Sequence, residues 1–162
     1  MTPDETLAPE TWASAQHDGG PEDERWMHAG RLVLGDADAV ACAAGAVRAA
    51  ARGDGLSMWL IVLDEHSWST GLVVELEGLA DSPAPGEVLT VLTRMSSLIE
   101  QAVPRGSVLV ALATPGGGDR GAREARWCAA VVDAAHAGSL PVRAVVAVGA
   151  HRARLLQSAV PR

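Results

Sequence analysis

The chain has 162 residues, 48% of them hydrophobic and 20% charged, and a formal net charge of -7. This length favours a single domain, and the apolar content excludes a wholly disordered chain because it is sufficient to form a core. A membrane span is excluded as well, since no long uncharged apolar run occurs. The only aromatic residues are five Trp, so an aliphatic core is expected.

The charge is unevenly distributed along the chain. Residues 1–30 hold seven acidic residues and one Arg, residues 31–103 hold ten acidic residues and four Arg, and residues 104–162 hold three acidic residues and eight Arg. An acidic protein repels the phosphate backbone, so nucleic acid is not expected as a general partner. A small-anion site is still compatible with the excess of Arg over acidic residues in 104–162.

The first 30 residues are rich in Pro, Gly, Asp and Glu and show no apolar period. This pattern predicts a flexible acidic arm over 1–30, followed by a single α/β domain over 31–162. Two interpretations of Trp12 and Trp26 stay open. Either they anchor the arm to the domain or to a partner, or they lie in a segment that only tethers the domain. Acidic residues stand where a secretory signal has basic ones, which predicts a cytoplasmic protein.

Apolar periodicity predicts the regular elements of the domain. They are a helix over 37–52 that stops at Gly53, strands over 58–63 and 72–76, a helix from Val88 to before Pro104, a strand over 107–114, a helix over 120–137 and a strand over 142–150. The segment 151–156 is expected to be a short final strand or a loop. The order α-β-β-α-β-α-β predicts an α/β (α+β) fold, a three-layer mixed sheet with an N-terminal hairpin and flanking helices.

Three tryptophans and two cysteines lie in the predicted domain. Trp59 and Trp127 are expected in the core, whereas Trp68, in the hairpin turn, is expected to be exposed and is a candidate interface anchor. Cys42 and Cys128 have no metal-type spacing, which favours buried free thiols over a disulfide or a metal site.

Several short sequence segments occur at characteristic positions within this order of elements. They are Leu63 and Asp64 ending the first hairpin strand, Glu75 or Glu77 on the second, Gly78, then Pro85 to Val88, Val108 to Ala111, and Val148 with Gly149. Over about residues 36–156 the chain resembles the JAB/MPN metalloprotease-type fold in its RadC-like form. That family carries a zinc motif of His, any residue, His and Pro, followed by a Ser and an Asp.

The positions of that motif hold other residues in this chain. Without gaps they fall on Leu112, Thr114, Pro115, Ala122 and Ala125. The resemblance therefore implies a degenerate domain with no metal and no cofactor, because these side chains cannot hold zinc. A one-residue slip would bring in Glu124 as a single ligand. Glu75, at the position of the family's general base, is a weak catalytic candidate, since such a base acts on metal-bound water.

A glycine-rich loop precedes the predicted helix over 120–137. Gly116, Gly117, Gly118 and Gly121 satisfy G-x-G-x-x-G, but no acidic residue follows the next strand and the chain has no Lys, so neither a dinucleotide fingerprint nor a phosphate loop is complete. One alternative is an anion site formed by Gly116–Gly118 with Arg120 and Arg123. The other is a plain turn whose arginines are solvated or paired with Asp119 and Glu124.

Three functional hypotheses follow. The first is a non-catalytic JAB/MPN-like domain that acts as a protein-interaction or dimerisation module, as such domains commonly do when they lack metal ligands. The second is a small-anion or nucleotide-binding protein that uses the glycine loop. The third is a hydrolase with an unrecognised site, which would need Glu75, His151 or Asp64 to converge on one pocket.

Overall fold

The computed structural model describes residues 30–50 and 55–160. Residues 1–29 of the predicted arm and the predicted stop at Gly53 lie outside these residues. The described part forms three helices and five strands, which are α1 (Asp36–Ala50), β1 (Leu56–Leu63), β2 (Ser69–Leu79), α2 (Pro85–Ala102), β3 (Ser107–Ala113), α3 (Ala122–Ala137), β4 (Val142–Val148) and β5 (Ala153–Val160).

The five strands form one mixed sheet in the order β2-β1-β3-β4-β5. β1 runs antiparallel to both β2 and β3, β3 and β4 are parallel, and β5 is antiparallel to β4. The α3 crossover therefore joins parallel neighbours. The α2 crossover joins β2 and β3, which run in the same direction but are separated by β1.

The predicted order is correct but one strand short. The segment left open as a short strand or a loop becomes β5, eight residues that pair with β4 from Val148↔Ala153 to Val142↔Val160. Arg154, Gln157 and Ser158 weaken the apolar pattern that marks the other strands, so its pairing with β4 defines β5 more clearly than its sequence does.

The helices cover both faces of the sheet and make three layers. α2 and α3 pack on one face over large side chains that include Met58, Leu60, Leu112 and Val145. α1 packs on the other face, where the helix contributes small residues such as Ala39, Ala43 and Ala46, and the sheet contributes Ala111, Ala113 and Ala144 beside larger residues such as Ile61 and Leu109. The central strands β1, β3 and β4 are buried on both sides, which explains their continuous apolar runs.

Local chemistry sets the helix ends. α1 begins after Gly35, whose N–H donates to the Asp38 carboxylate at 3.0 Å. This arrangement is half of a capping box. α2 has Pro at its first position, and Gly138 ends α3 with its N–H on the Ala134 carbonyl. No helix in the described ranges is long and apolar enough to cross a membrane.

The predictions for Trp and Cys burial are confirmed. Trp59 and Trp127 are each 4% exposed, whereas Trp68 is 43% exposed. Cys42 and Cys128 are both free and buried. The exposure of Trp68 agrees with its expected place in the hairpin turn, while its role as an interface anchor stays a prediction.

Candidate functional site

A cleft of about 410 Å³ opens at the carboxyl ends of the parallel strands β3 and β4. Its walls include Val47 and Leu56, and Arg48, Glu75 and Glu77 add charge. In open α/β sheets, ligands typically bind beyond the carboxyl ends of the parallel strands, and this volume falls in the range of small-molecule sites. The cleft is therefore the concave candidate site.

Residues singled out by the family resemblance meet in this cleft. Glu75 and Glu77 come from β2, Thr114 and Pro115 follow β3, and Gly149 follows β4, and all of them line it. Sequence spacing alone does not predict this convergence, because β2 and β4 lie on opposite sides of β1 and β3 in the sheet.

Two residues needed by the hydrolase hypothesis lie elsewhere. Asp64 follows the end of β1 that pairs with Ser107 at the start of β3, so it lies at the opposite end of the sheet from the cleft. Its Oδ1 accepts from the backbone N–H groups of His66 and Trp68, at 2.8 and 2.9 Å, and so stabilises the hairpin turn. His151 does not line the cleft. Glu75 thus has neither of its proposed partners there.

The side chains at the family's ligand positions do not fit zinc. Leu112 is fully buried in the core and Ala122 begins α3, and neither has a donor atom. The Thr114 hydroxyl is buried without a hydrogen-bond partner and lies against Gly117. Residues 30–50 and 55–160 contain no group of three or more His, Cys, Asp or Glu that could hold a metal ion. No step of a zinc hydrolase can be derived from these residues.

The glycine loop packs backbone to backbone against the β4–β5 turn. Gly118 has a φ of +89°, and a Cβ there would come within 2.8 Å of the Gly149 nitrogen. The N–H of Gly117 donates to the Thr114 carbonyl at 2.9 Å, and the N–H of Gly149 donates to the Arg152 carbonyl at 2.8 Å. These glycines are therefore required by close packing, whether or not the loop binds a ligand.

The two arginines predicted to help the loop bind anions have partners within the protein. Arg120 donates from Nε to the Leu155 carbonyl at 3.1 Å. Arg123 lies 3.3 Å from the Asp81 carboxylate and 3.7 Å from that of Glu124. The anion site remains a prediction, and binding at Arg123 would have to compete with both carboxylates.

Two arginines that the sequence analysis did not select lie beside the loop. Arg152 and Arg154 both pair with Asp119, at 2.8 and 3.5 Å. Arg154 is the second residue of β5 and Arg152 directly precedes the strand, and residues two positions apart along an extended chain share a face. That spacing is the signal that would have identified them once β5 was recognised as a strand.

A carboxylate of the protein itself already occupies the N-terminus of α3. Glu124 is only 6% exposed, and its Oε2 lies 2.5 Å from where a Cβ on the N-cap residue Gly121 would stand. A helix N-terminus attracts negative charge. This internal carboxylate therefore takes the position where an external anion would be expected to bind.

The outer edge of β2 is the second candidate site. β2 is an eleven-residue edge strand of the described sheet. Leu72 on this strand is 42% exposed, and Trp68, just before it, is also exposed. An exposed edge presents backbone N–H and C=O groups to any chain that can pair with it. The start of this edge is occupied by residues 30–33, which hydrogen-bond to Ser67 and Ser69.

In comparisons with known proteins, this chain matches no family model, no curated protein and no solved structure. Function is therefore argued from the chemistry of the cleft, the glycine loop and the β2 edge.

Proposed function

We propose that this chain is a non-catalytic JAB/MPN-like domain that acts by self-association, pairing the outer edge of β2 in the described sheet with the same edge of a second copy. The observation that carries the proposal is this long edge strand with Leu72 exposed on it. A dimer formed in this way would extend the five-stranded sheet across both copies.

The JAB/MPN-like part of the proposal is supported by the cleft. Glu75, Thr114 and Pro115 are far apart in sequence, and the resemblance assigns them to one site. All three line the same cleft in the structure. The non-catalytic part is supported by the chemistry of the family's ligand positions, since Leu112, Ala122 and Ala125 have no donor atoms for the metal whose bound water a base such as Glu75 would activate.

The side-chain pattern of β2 suits antiparallel pairing about a two-fold axis. With Val74 opposite its counterpart, Leu72 faces Leu76 of the second copy, and apolar groups meet on one face of the sheet. On the other face Glu75 faces Val73, so like charges do not stand directly opposite each other. A shift by one residue in either direction would lose this arrangement.

The test is sedimentation velocity of the full chain over a wide concentration range, comparing Leu72→Lys with Leu98→Lys. Both leucines are exposed, at 42% and 57%, but Leu98 lies on α2, away from the edge. We expect the wild type and Leu98→Lys to dimerise alike, and Leu72→Lys to weaken dimerisation at least tenfold, about 1.4 kcal/mol, because a charge on an edge strand opposes pairing.

A wild type that stays monomeric at every concentration would refute self-association. Equal weakening by both substitutions would also count against the proposal, because the effect would then not depend on the β2 edge.

A further inference from the structure

The cleft beyond β3 and β4 combines an apolar lining with two side chains of opposite charge. Arg48 comes from the last turn of α1 and Glu77 comes from β2, while Val47, Leu56 and Val148 add apolar surface. Both charged side chains are exposed. Neither forms an ion pair or a side-chain hydrogen bond with any residue of 30–50 or 55–160. The cleft therefore offers one cation and one anion to a molecule that enters it.

A β-bulge in β2 brings Glu77 to the cleft. Between two successive pairs of the ladder with β1, β2 has one more residue than β1. Leu76 and Leu79 therefore both pack in the core layer under α2 and α3, although an odd number of positions separates them. The residues between them, Glu77 and Gly78, both line the cleft, and Gly78 has a φ of +68°. Bulges of this kind often re-aim a side chain beside a binding site.

A buried hydroxyl in the wall of the cleft also lacks a partner. Thr114 lines the cleft and is only 8% exposed, and its Oγ1 has no hydrogen-bond partner in the described part of the chain. A buried polar group without a partner destabilises the folded state, and such groups are rare in native proteins. A ligand atom that accepts a hydrogen bond would remove this cost. The hydroxyl thus indicates a ligand independently of the two charges.

We propose that the cleft binds a small zwitterion with an apolar body, such as a free apolar amino acid. Arg48 and the Thr114 hydroxyl bind its carboxylate, and Glu77 binds its ammonium group. An Arg guanidinium suits a carboxylate because its planar fork can donate two parallel hydrogen bonds. The volume of about 410 Å³ falls in the range of small-molecule sites. This site does not depend on the proposed self-association.

The test is an NMR titration of the full chain with three probes that share one apolar body. Leucine carries both charges, isocaproate lacks the ammonium group, and isoamylamine lacks the carboxylate. We expect leucine to bind at least tenfold more tightly than either of the other two, because only leucine provides a partner for both Arg48 and Glu77.

Charge variants assign the two ends of the ligand. Glu77→Gln is expected to weaken leucine binding at least tenfold and to leave the weaker binding of isocaproate unchanged. Arg48→Gln is expected to weaken leucine binding as much and to leave that of isoamylamine unchanged. Arg94→Gln is the matched control, because Arg94 is an exposed residue of α2 that does not line the cleft. We expect it to bind leucine like the wild type.

Thr114→Val tests the hydroxyl, since valine has nearly the same shape. We expect it to weaken leucine binding severalfold without lowering the melting temperature of the unliganded protein, because the substitution removes a polar group that has no partner there. A purely structural role of the hydroxyl would instead lower the melting temperature. An unchanged affinity for leucine would overturn its assignment to the ligand.

Three results would overturn the site as a whole. One is that none of the apolar amino acids leucine, valine and methionine binds at millimolar concentration. Another is equal affinity for leucine, isocaproate and isoamylamine, which would mean that the cleft does not recognise charge. The third is equal weakening by Arg94→Gln and the cleft variants. Sedimentation separates the two proposals, since a chain that binds leucine but stays monomeric at every concentration supports this site and refutes self-association.

Discussion

The backbone nitrogen of Gly149 lies 2.8 Å from the position that a Cβ atom on Gly118 would take. The turn after β4 and the loop after β3 therefore touch through their main chains, at the rim of the cleft. This contact fixes the relative position of the two loops that follow the parallel strands.

Replacing Gly118 with Ala is expected to lower the free energy of unfolding by about 3 kcal/mol. The methyl group would collide with backbone atoms, which cannot move aside as a flexible side chain can, and the φ of +89° is unfavourable for any residue with a Cβ. Gly116→Ala is the control, because nothing lies within 4 Å of its Cβ position. Urea unfolding measures the stability of both variants. Equal losses of stability would show that the backbone contact at Gly118 can adjust to a methyl group.

Glu124→Ala is expected to cost about 1–2 kcal/mol of stability, because it removes a buried carboxylate from the N-terminus of α3. Glu87→Ala is the matched control. Glu87 also stands in the first turn of its helix, α2, but it is exposed, so its loss is expected to cost about 0.5 kcal/mol. Thermal and urea unfolding check the difference, and similar losses would argue against a special role for Glu124.

Stability is expected to fall in the alkaline range because of the two thiols. Burial raises the pKa of Cys42 and of Cys128 above the ordinary value of 9.0, and Arg31 partly offsets this for Cys42. Above pH 9.0 the unfolded thiols ionise while the folded ones keep their protons. The free energy of unfolding is therefore insensitive to these groups below that pH, and it decreases as the pH rises from 9.0 through the raised values.

The composition makes this decrease easy to detect. The chain has no Tyr and no Lys, so no other side chain has an ordinary pKa between those of Cys and Arg. Urea unfolding from pH 8 upward should show a loss of up to about 1.4 kcal/mol per pH unit for each thiol. The variant with both Cys42→Ala and Cys128→Ala is expected to lack this slope, and a slope that persists would contradict the assignment.

Zinc and a chelator are both expected to leave the melting temperature unchanged. Leu112, Ala122 and Ala125 offer no donor atoms, and the Thr114 hydroxyl is buried against the loop. Thermal shift measurements with zinc, and with zinc followed by chelator, check this. A rise in melting temperature that the chelator reverses would mean that other residues provide ligands, and it would revive the hydrolase hypothesis.

Phosphate and nucleoside triphosphates test the alternative site at Gly116–Gly118. We expect no stabilisation, since Arg120 and Arg123 are held by internal acceptors and Glu124 occupies the helix N-terminus. A ligand at 100 times its Kd would raise stability by about 2.7 kcal/mol. Such a rise, lost in the variant with Arg120→Ala and Arg123→Ala, would establish the anion site.

The helices and the buried strands could be predicted because local signals and burial agree in them. Runs such as Leu60–Leu63 and Val108–Ala113 are covered on both faces, and Gly138 marks a helix end. β5 could not be predicted firmly because an edge strand has a partly polar sequence. The insertion of β1 between β2 and β3 is also absent from local patterns, since it depends on long-range pairing.

The candidate sites could be predicted only in part, because local sequence signals do not report long-range contacts. Glu75, Thr114 and Pro115 were connected through a resemblance in sequence order, and the structure brings them to one cleft. Arg48 could not be assigned to the cleft from the sequence, because its place there depends on how α1 crosses the sheet. The partners of Arg123 could be predicted only in part, because Glu124 is its neighbour in sequence whereas Asp81 is 42 residues away.

The alanines at the contact between α1 and the sheet respond to a different kind of change from the large residues under α2 and α3. Where Ala43 and Ala144 leave little room, enlargement to Val forces the helix off the sheet. Under α2 and α3, where Leu60 and Leu112 fill the space, truncation to Ala leaves a void. Added bulk is therefore expected to destabilise this protein most at the alanines under α1, and lost bulk at the large residues under α2 and α3.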